Sequence, residues 1–426
     1  MRQLAQEVNR IGTERGTPLK YQQPSVSQWL KGQLPKESVR PLILEAFARR
    51  LRRPVTRSEA GFPSLPQESN PHPSTVEGLI DLGRQDMDPS RRSVVGAALF
   101  SVALTVPNWP DVLGRMEAVQ GGRPLRIGMP EVDMVIAMTE RVSELDDQFG
   151  GRHARPMAAA FLVNTVAPYL KADASEEVRK AMMSAASDLC YLTGYMAVDE
   201  GIHGLAQRYY LKALELAGAS EDHLIYCTTL RGMSVQAVDL GHGRSAMRLA
   251  DAAAAASPQT GPRMRAFLAG QQAHAAAQIG DRSNALTHLR EAEVAMDKAE
   301  SQQRIFGSYD PAALNYHTSQ VRYELGDAVG AVEAMQQSDK LRYNIYRRTR
   351  VKERAILAER QFAVGHVESA CVTWNSALED YPLIQSGRAD QRMQSLLQLA
   401  RPHLKSHVVR DVYERARSIT PKTLRP

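Results

Sequence analysis

Cysteine is scarce and never paired at short range. Cys190, Cys227 and Cys371 stand far apart in 426 residues, with no CxxC element. That excludes a disulfide framework and a cysteine-based zinc site, and it fits a reducing, cytoplasmic compartment. Runs of β-branched residues are also scarce, while Ala, Leu, Arg, Glu and Gln dominate, so composition speaks for an all-α protein. The chain has no Walker A sequence, no HExxH, no GxSxG and no dinucleotide GxGxxG. Its 11 histidines show no compact ligand spacing. The expectation is therefore no enzyme activity, no catalytic residue, no cofactor and no metal. The three carboxylates of ELDD (Glu144–Asp147) read as a solvated helix face rather than a metal site.

What is present is a register. Gly201, Gly241, Gly280, Gly326 and Gly365 are each followed five residues later by Ala206, Ala246, Ala285, Ala331 or Ala370. Seven residues further on comes Ala213, Ala253, Ala292, Ser338 or Ala377, and seven before each glycine stands Gly194, Ser234, Ala273, Ser319 or Ala358. Small residues at fixed offsets suit two antiparallel helices whose backbones cross closely, and a glycine between them permits the positive φ that ends many helices. The copies are spaced 39–46 residues apart, within the range of two-helix repeats. The pattern resembles the tetratricopeptide repeat, best in LTGYMAVDEGIHGLAQRYYLKALELA (Leu192–Ala217) and AERQFAVGHVESACVTWNSALEDYP (Ala358–Pro382). These units are longer than that family's usual 34 residues, so an irregular superhelix is expected.

Charge is concentrated at one end. Through Phe62 there are 12 Lys and Arg against 5 Asp and Glu, whereas the whole chain is only +6. Such a basic segment attached to a near-neutral remainder is what a nucleic-acid-binding module looks like. Within it, QQPSVSQWLKGQLP (Gln22–Pro35) predicts a short helix with Val26, Trp29 and Leu30 on one face and Ser25, Gln28 and Lys31 on the other. Pro24 suits its first turn and Gly32 its end. LAQEVNRIG before it offers Leu4, Ala5, Val8 and Ile11 for packing, and RPLILEAFARRL behind it supplies a third helix. The stretch resembles the phage-repressor-like helix-turn-helix class, with Ser25, Val26, Ser27, Trp29, Gly32 and Pro35 in the matching positions. By that resemblance Gln23, Ser25 and Gln28 would read bases, and Lys20, Lys31, Lys36 and Arg40 would hold phosphates. The class carries one more helix ahead of LAQEVN, and TERGTPLKYQQ is longer than a tight turn. The domain therefore reads as a shortened variant, or as one whose start lies upstream of Met1.

The resulting division is a DNA-binding domain over 1–62, a proline-rich linker over 63–75 and a helical or irregular connector over 76–130. A repeat array over 131–389 and capping helices over 390–426 follow. SRRSVVGAALFSVALTVP (Ser90–Pro107) has the look of a twin-arginine export signal, but it follows a folded segment and falls short of the roughly 20 residues that span a bilayer. It reads as a buried or partner-facing helix, and no membrane association is expected. From Glu131, two helices joined by GGRHARP lead to the first clear repeat, with Glu176 and Glu177 in a helix first turn. In the closing pair Leu396, Leu397, Leu399 and Ala400 should point inward.

The arrangement as a whole resembles the actinobacterial regulators that join a helix-turn-helix to tetratricopeptide-like helices, some of them repressors of antibiotic production and sporulation. SVSQWLKG, FARRLRRPVTRSEAGF, LDDQFGGRHARP and GIHGLAQRYYLKALELA carry the likeness. More broadly it is similar to the peptide-sensing regulators of other Gram-positive bacteria. The resemblance implies a transcriptional regulator that binds double-stranded DNA, works as a homodimer and receives a peptide or protein partner on the concave face of its repeats. In such arrays the first helix of each pair lines that face, which here nominates Tyr191, Tyr195, Arg231, His274, Tyr316, Gln320, Tyr323 and Glu359. The alternative is a repeat-protein adaptor acting through protein contacts, without specific DNA binding.

Overall fold

The computed structural model describes residues 1–14, 19–51, 60–62, 74–88, 126–256, 260–299 and 309–425. Within them the protein is all-α, apart from one bridge between Arg126 and Asp173. The SRRSVVGAALFSVALTVP segment and most of the proline-rich stretch lie outside the described residues.

The N-terminal segment packs α1 (Arg2–Glu14), α2 (Gln23–Leu30) and α3 (Arg40–Leu51) around Val8, Ile11, Val39, Leu42, Ile43 and Ala46. Asn9 ties the α1–α2 connection down. Its carboxamide accepts from the Tyr21 N–H and donates to the Tyr21 carbonyl, both at 2.8 Å. Tyr21 in turn meets Trp29 edge-on, with ring centroids 5.1 Å apart. Pro24 sits in the first turn of α2, and Gly32 follows its end at φ 96°. One expectation fails: Leu30 is 72% exposed, because it occupies the last turn of α2, beyond the reach of the α1–α3 core.

α4 (Thr75–Met87), capped by the Ser74 hydroxyl, buries Leu79 and Leu82 against α6 (Gly151–Phe161) and α9 (His203–Ser220). Its buried Asp86 accepts from the Tyr209 hydroxyl (3.0 Å) and pairs with Arg155, which also binds Glu200 at 2.5 Å. α5 (Met129–Phe149) meets α6 at a single residue, Gly150, at φ 93°. The expected GGRHARP connector is therefore mostly helix, which is how Arg155 comes to lie in the core. Past Pro156 the helix continues through a π turn (Leu162–Val166) into α7 (Ala167–Leu170).

Six antiparallel pairs then follow: α8 (Glu176–Asp199) with α9, α10 (His223–Asp239) with α11 (Gly243–Ala256), and α12 (Pro262–Gln278) with α13 (Arg282–Asp297). α14 (Pro311–Glu324) pairs with α15 (Ala328–Leu341), α16 (Arg347–Ala363) with α17 (Val367–Asp380), and α18 (Gly387–Ala400) with α19 (His407–Ile419). The five glycines of the register close the first helix of the first five pairs, with φ between 74° and 88°. At each, the same two bonds form, as at Gly241: its N–H reaches the Val238 carbonyl (2.9 Å) and the His242 N–H reaches Ala237 (2.8 Å). This is the Schellman arrangement that satisfies the last carbonyls of a helix. Ala206, Ala246, Ala285, Ala331 and Ala370 are fully buried at the crossings. Where a serine replaces alanine in the facing helix, its hydroxyl bonds across: Ser234 to the Ala246 carbonyl at 2.8 Å and Ser319 to Ala331 at 2.5 Å. In the last pair Leu396, Leu397 and Ala400 are buried as expected, but Leu399 is 40% exposed, since α19 covers only one side of α18.

The array closes on itself. The Gln385 N–H donates to the Phe149 carbonyl (2.6 Å), and the Arg152 N–H donates to the Gln385 carbonyl (3.2 Å). Arg348 bonds Asp146 (2.8 Å) and Asp147 (3.1 Å) and lies 3.6 Å from Asp199, which also accepts from the Ser386 hydroxyl at 2.8 Å. Asp146 and Asp147 are buried, so the solvated face expected of ELDD is half seam. Glycines make the close approach possible. A Cβ at Gly150 would collide with the Gln385 carbonyl, one at Gly151 would lie 2.7 Å from the Met196 carbonyl, and one at Gly387 would lie 2.9 Å from that of Asp199.

Candidate functional site

Closure turns the concave face into the wall of a cavity of about 550 Å³, lined by the first helices of the pairs. Each inner helix offers one stripe at helical spacing: Asp188, Tyr191 and Tyr195 from α8, Arg231 from α10, and Phe267, Gln271 and His274 from α12. Tyr316 and His317 come from α14, Arg348 and Lys352 from α16, and Arg388 from α18. Tyr191, Tyr195, Arg231, His274 and Tyr316, five residues named from sequence, thus meet in one space.

Gln320, Tyr323 and Glu359 do not line it. Arg360 donates to the Gln320 carboxamide (2.5 Å) and lies 4.4 Å from the centroid of the exposed Tyr323 ring, while Glu359 is paired with Arg392 at 2.9 Å. These links stitch neighbouring repeats together. Sequence reading missed Phe267, Tyr309, His317, Arg348, Lys352 and Arg388. The basic opening of α16, RRTRVKER, with Arg348 and Lys352 one turn apart, was a signal available for two of them.

The cations of the cavity fall into two groups. Arg342 pairs with Glu353 (3.1 Å) and Asp310 (3.6 Å), Arg348 with the seam carboxylates, and Arg388 with Asp239. Arg231 and Lys352 instead have no carboxylate within ion-pairing distance among the described residues. Arg231 lies 3.9 Å from the Phe267 ring centroid, and its buried Nε has no hydrogen-bond partner. The Lys352 ammonium lies 4.7 Å from the centre of the Tyr316 ring.

Titration behaviour reflects this setting. Burial is the largest influence on Tyr195 and pushes its phenol up, yet Arg348, Arg388 and Lys352 together outweigh it and hold the group below the ordinary tyrosine range. Burial pushes Tyr191 up to about 12 against the opposing charge of Arg231. His274 is pushed down to about 4, and His317 is held well below its usual value, both chiefly by burial, so both rings are neutral at pH 7. His317 Nδ1 is 2.7 Å from the Tyr309 hydroxyl. On α8, Asp188 is raised to about 6 by burial and by Asp222 and Glu140.

In the N-terminal segment, Gln23, Gln28, Lys20, Lys31 and Lys36 are exposed and Ser25 is half-buried. The half-buried Arg40 is already engaged: its Nε donates to the Pro35 carbonyl (3.0 Å), and Glu37 lies 3.7 Å away. It braces the turn into α3.

Residues 1–63 match a family described as the SP15 N-terminal domain. Comparison with curated proteins returns no match. Among solved structures, the chain is similar to the crystal structure of the P58(IPK) TPR domain, at 13% identity over 68% of this chain and 88% of that one, with a TM-score of 0.19. What defines the fold is the helix pairing itself, repeated with the same turn and the same crossings: a tetratricopeptide-like α-solenoid. None of the described helices is long and apolar enough to cross a membrane.

Proposed function

We propose that the protein is a DNA-binding transcription regulator whose repeat array receives an effector and joins two copies of the chain. The observation that carries the DNA-binding half is α2. It turns Gln23, Gln28 and Lys31 to solvent while Val26 and Trp29 anchor its other face, in a segment with 12 basic against 5 acidic residues. An exposed glutamine can pair bidentately with adenine, and surrounding lysines supply phosphate contacts that orient without reading sequence. A single short recognition helix reads few base pairs, so two copies on a pseudo-palindromic site are expected. The inner cavity suits a compact effector better than a long peptide. Repeat arrays of this kind are also platforms for protein partners, and the compartment expected is the cytoplasm.

The test is selection of genomic fragments on the full-length protein, beside Gln28→Ala and Ser25→Ala. A shared inverted repeat, lost in the variants and weakening steeply with salt as displaced counterions require, is the expected result. Absence of enrichment by a folded wild type sinks the reading. In that case the adaptor reading takes over. It is favoured by the apolar side chains at the end of α2, where Leu30 and Leu34 are 72% and 51% exposed.

A further inference from the structure

We infer that the central cavity of the repeat array binds one small aromatic organic anion, its carboxylate or equivalent group held between Arg231 and Lys352. The inference rests on the effector-receiving half of the reading above and is independent of DNA binding.

Size comes first. A space of about 550 Å³ falls in the range that encloses a single small ligand. The seam from Phe149 to Gln385 and from Asp146 to Arg348 shuts the trough along which an extended peptide would run.

Charge comes second. Three of the five cations lining the cavity are matched by carboxylates of the protein, and Arg231 and Lys352 are not. The Arg231 guanidinium engages the Tyr191 hydroxyl, but its buried Nε–H meets no acceptor among the described residues. A buried donor is costly unless it meets an acceptor, and an anion in the cavity supplies one. The imidazoles of His274 and His317 are neutral and leave the positive charge with these two residues.

Shape comes third. Both cations are backed by rings, Phe267 behind Arg231 and Tyr316 beside Lys352. Tyr191 and Tyr195 face the same space from α8. Aromatic walls around a charged end favour a flat ligand body, through stacked and edge-on ring contacts.

The experiment is calorimetric titration of the full-length protein with 1-naphthoate, 1-naphthamide and 1-naphthylmethylamine, three probes of similar shape and different charge. Naphthoate is expected to bind at one site per chain and at least ~10-fold tighter than the amide, the scale of a charge-assisted hydrogen bond. Arg231→Gln and Lys352→Met should each weaken naphthoate by ~10- to 100-fold while changing the amide less than ~2-fold. Lys352→Arg should retain binding, which separates loss of charge from loss of fold. Lys298→Met, at an exposed lysine outside the cavity, should change nothing. Equal affinity for the three probes, preference for the amine, no binding of naphthoate, or an equal effect of Lys298→Met would each overturn the inference. Intact naphthoate binding without retention of DNA sinks only the regulator reading, and the reverse result sinks only this one.

Discussion

Replacing Arg348 by methionine keeps most of its volume and removes the cation that lies within ion-pairing distance of Asp146, Asp147 and Asp199. All four side chains are nearly inaccessible to solvent. Deleting one member of a buried ionic cluster leaves uncompensated charge and costs about 3–5 kcal/mol. The loss should fall on the seam, because α8–α9 and α16–α17 each keep their own apolar interfaces. The amides that cross the seam, those of Gln385 and Arg152, should therefore exchange with solvent about two to three orders of magnitude faster, at roughly 1.4 kcal/mol per decade. Amides of Leu189 and Tyr210, deep in the first pair, should exchange as in the wild type. Asp146 is already pushed up chiefly by burial, against the pull of Arg348, and losing that cation raises it further, so a proton can replace the lost charge in part. The defect should then be smaller at neutral pH than in alkali, where that proton leaves. The double variant D146N with R348M should recover only part of the protection, since one buried carboxylate is neutralised while Asp147 and Asp199 stay without their cation. Hydrogen exchange resolved to single residues decides the matter. If Gln385 is unchanged, or if Leu189 accelerates as much as Gln385, the seam does not depend on Arg348 and the reasoning is wrong.

Two further outcomes follow from the turns and the buried histidines. Gly241→Ala meets no steric obstacle but must adopt φ 74°, so chemical denaturation should show a loss of about 1–2 kcal/mol; no loss would mean that the turn relaxes. His274, 8% exposed and pushed down to about 4 chiefly by burial, is neutral in the fold and charged when unfolded in acid. Its contribution is fully present above its ordinary pKa of about 6.5 and is lost as pH falls through about 4, up to ~3 kcal/mol in all. His274→Gln should flatten that part of the acid limb in denaturation midpoints taken at pH 4, 5, 6 and 7, and an unaltered slope would exclude a buried neutral imidazole.

The helix pairs were legible because their cause is local. A glycine that must reach positive φ and alanines that must admit a crossing backbone leave their mark within 20 residues, whatever the rest of the chain does. The inward stripe of each first helix was legible for the same reason, since a 3.6-residue period places Tyr191 and Tyr195, or Arg231, on one face. Gln320, Tyr323 and Glu359 obeyed the same period and still fell outside the cavity, because Arg360 and Arg392 from neighbouring helices claim them. Asp146 and Asp147 looked like solvated carboxylates because their partner, Arg348, stands about 200 residues away.

Sequence alone therefore determined the unit of this protein: two helices, the turn between them, and the face that points inward. Tertiary structure decided where the circuit of units shuts, and so which charges are matched by carboxylates and which are not. Small rotations at each pair add along the array until α16 and α18 meet α5 and α8. No single repeat encodes that sum, and the seam forms only where glycines and a buried arginine happen to await it.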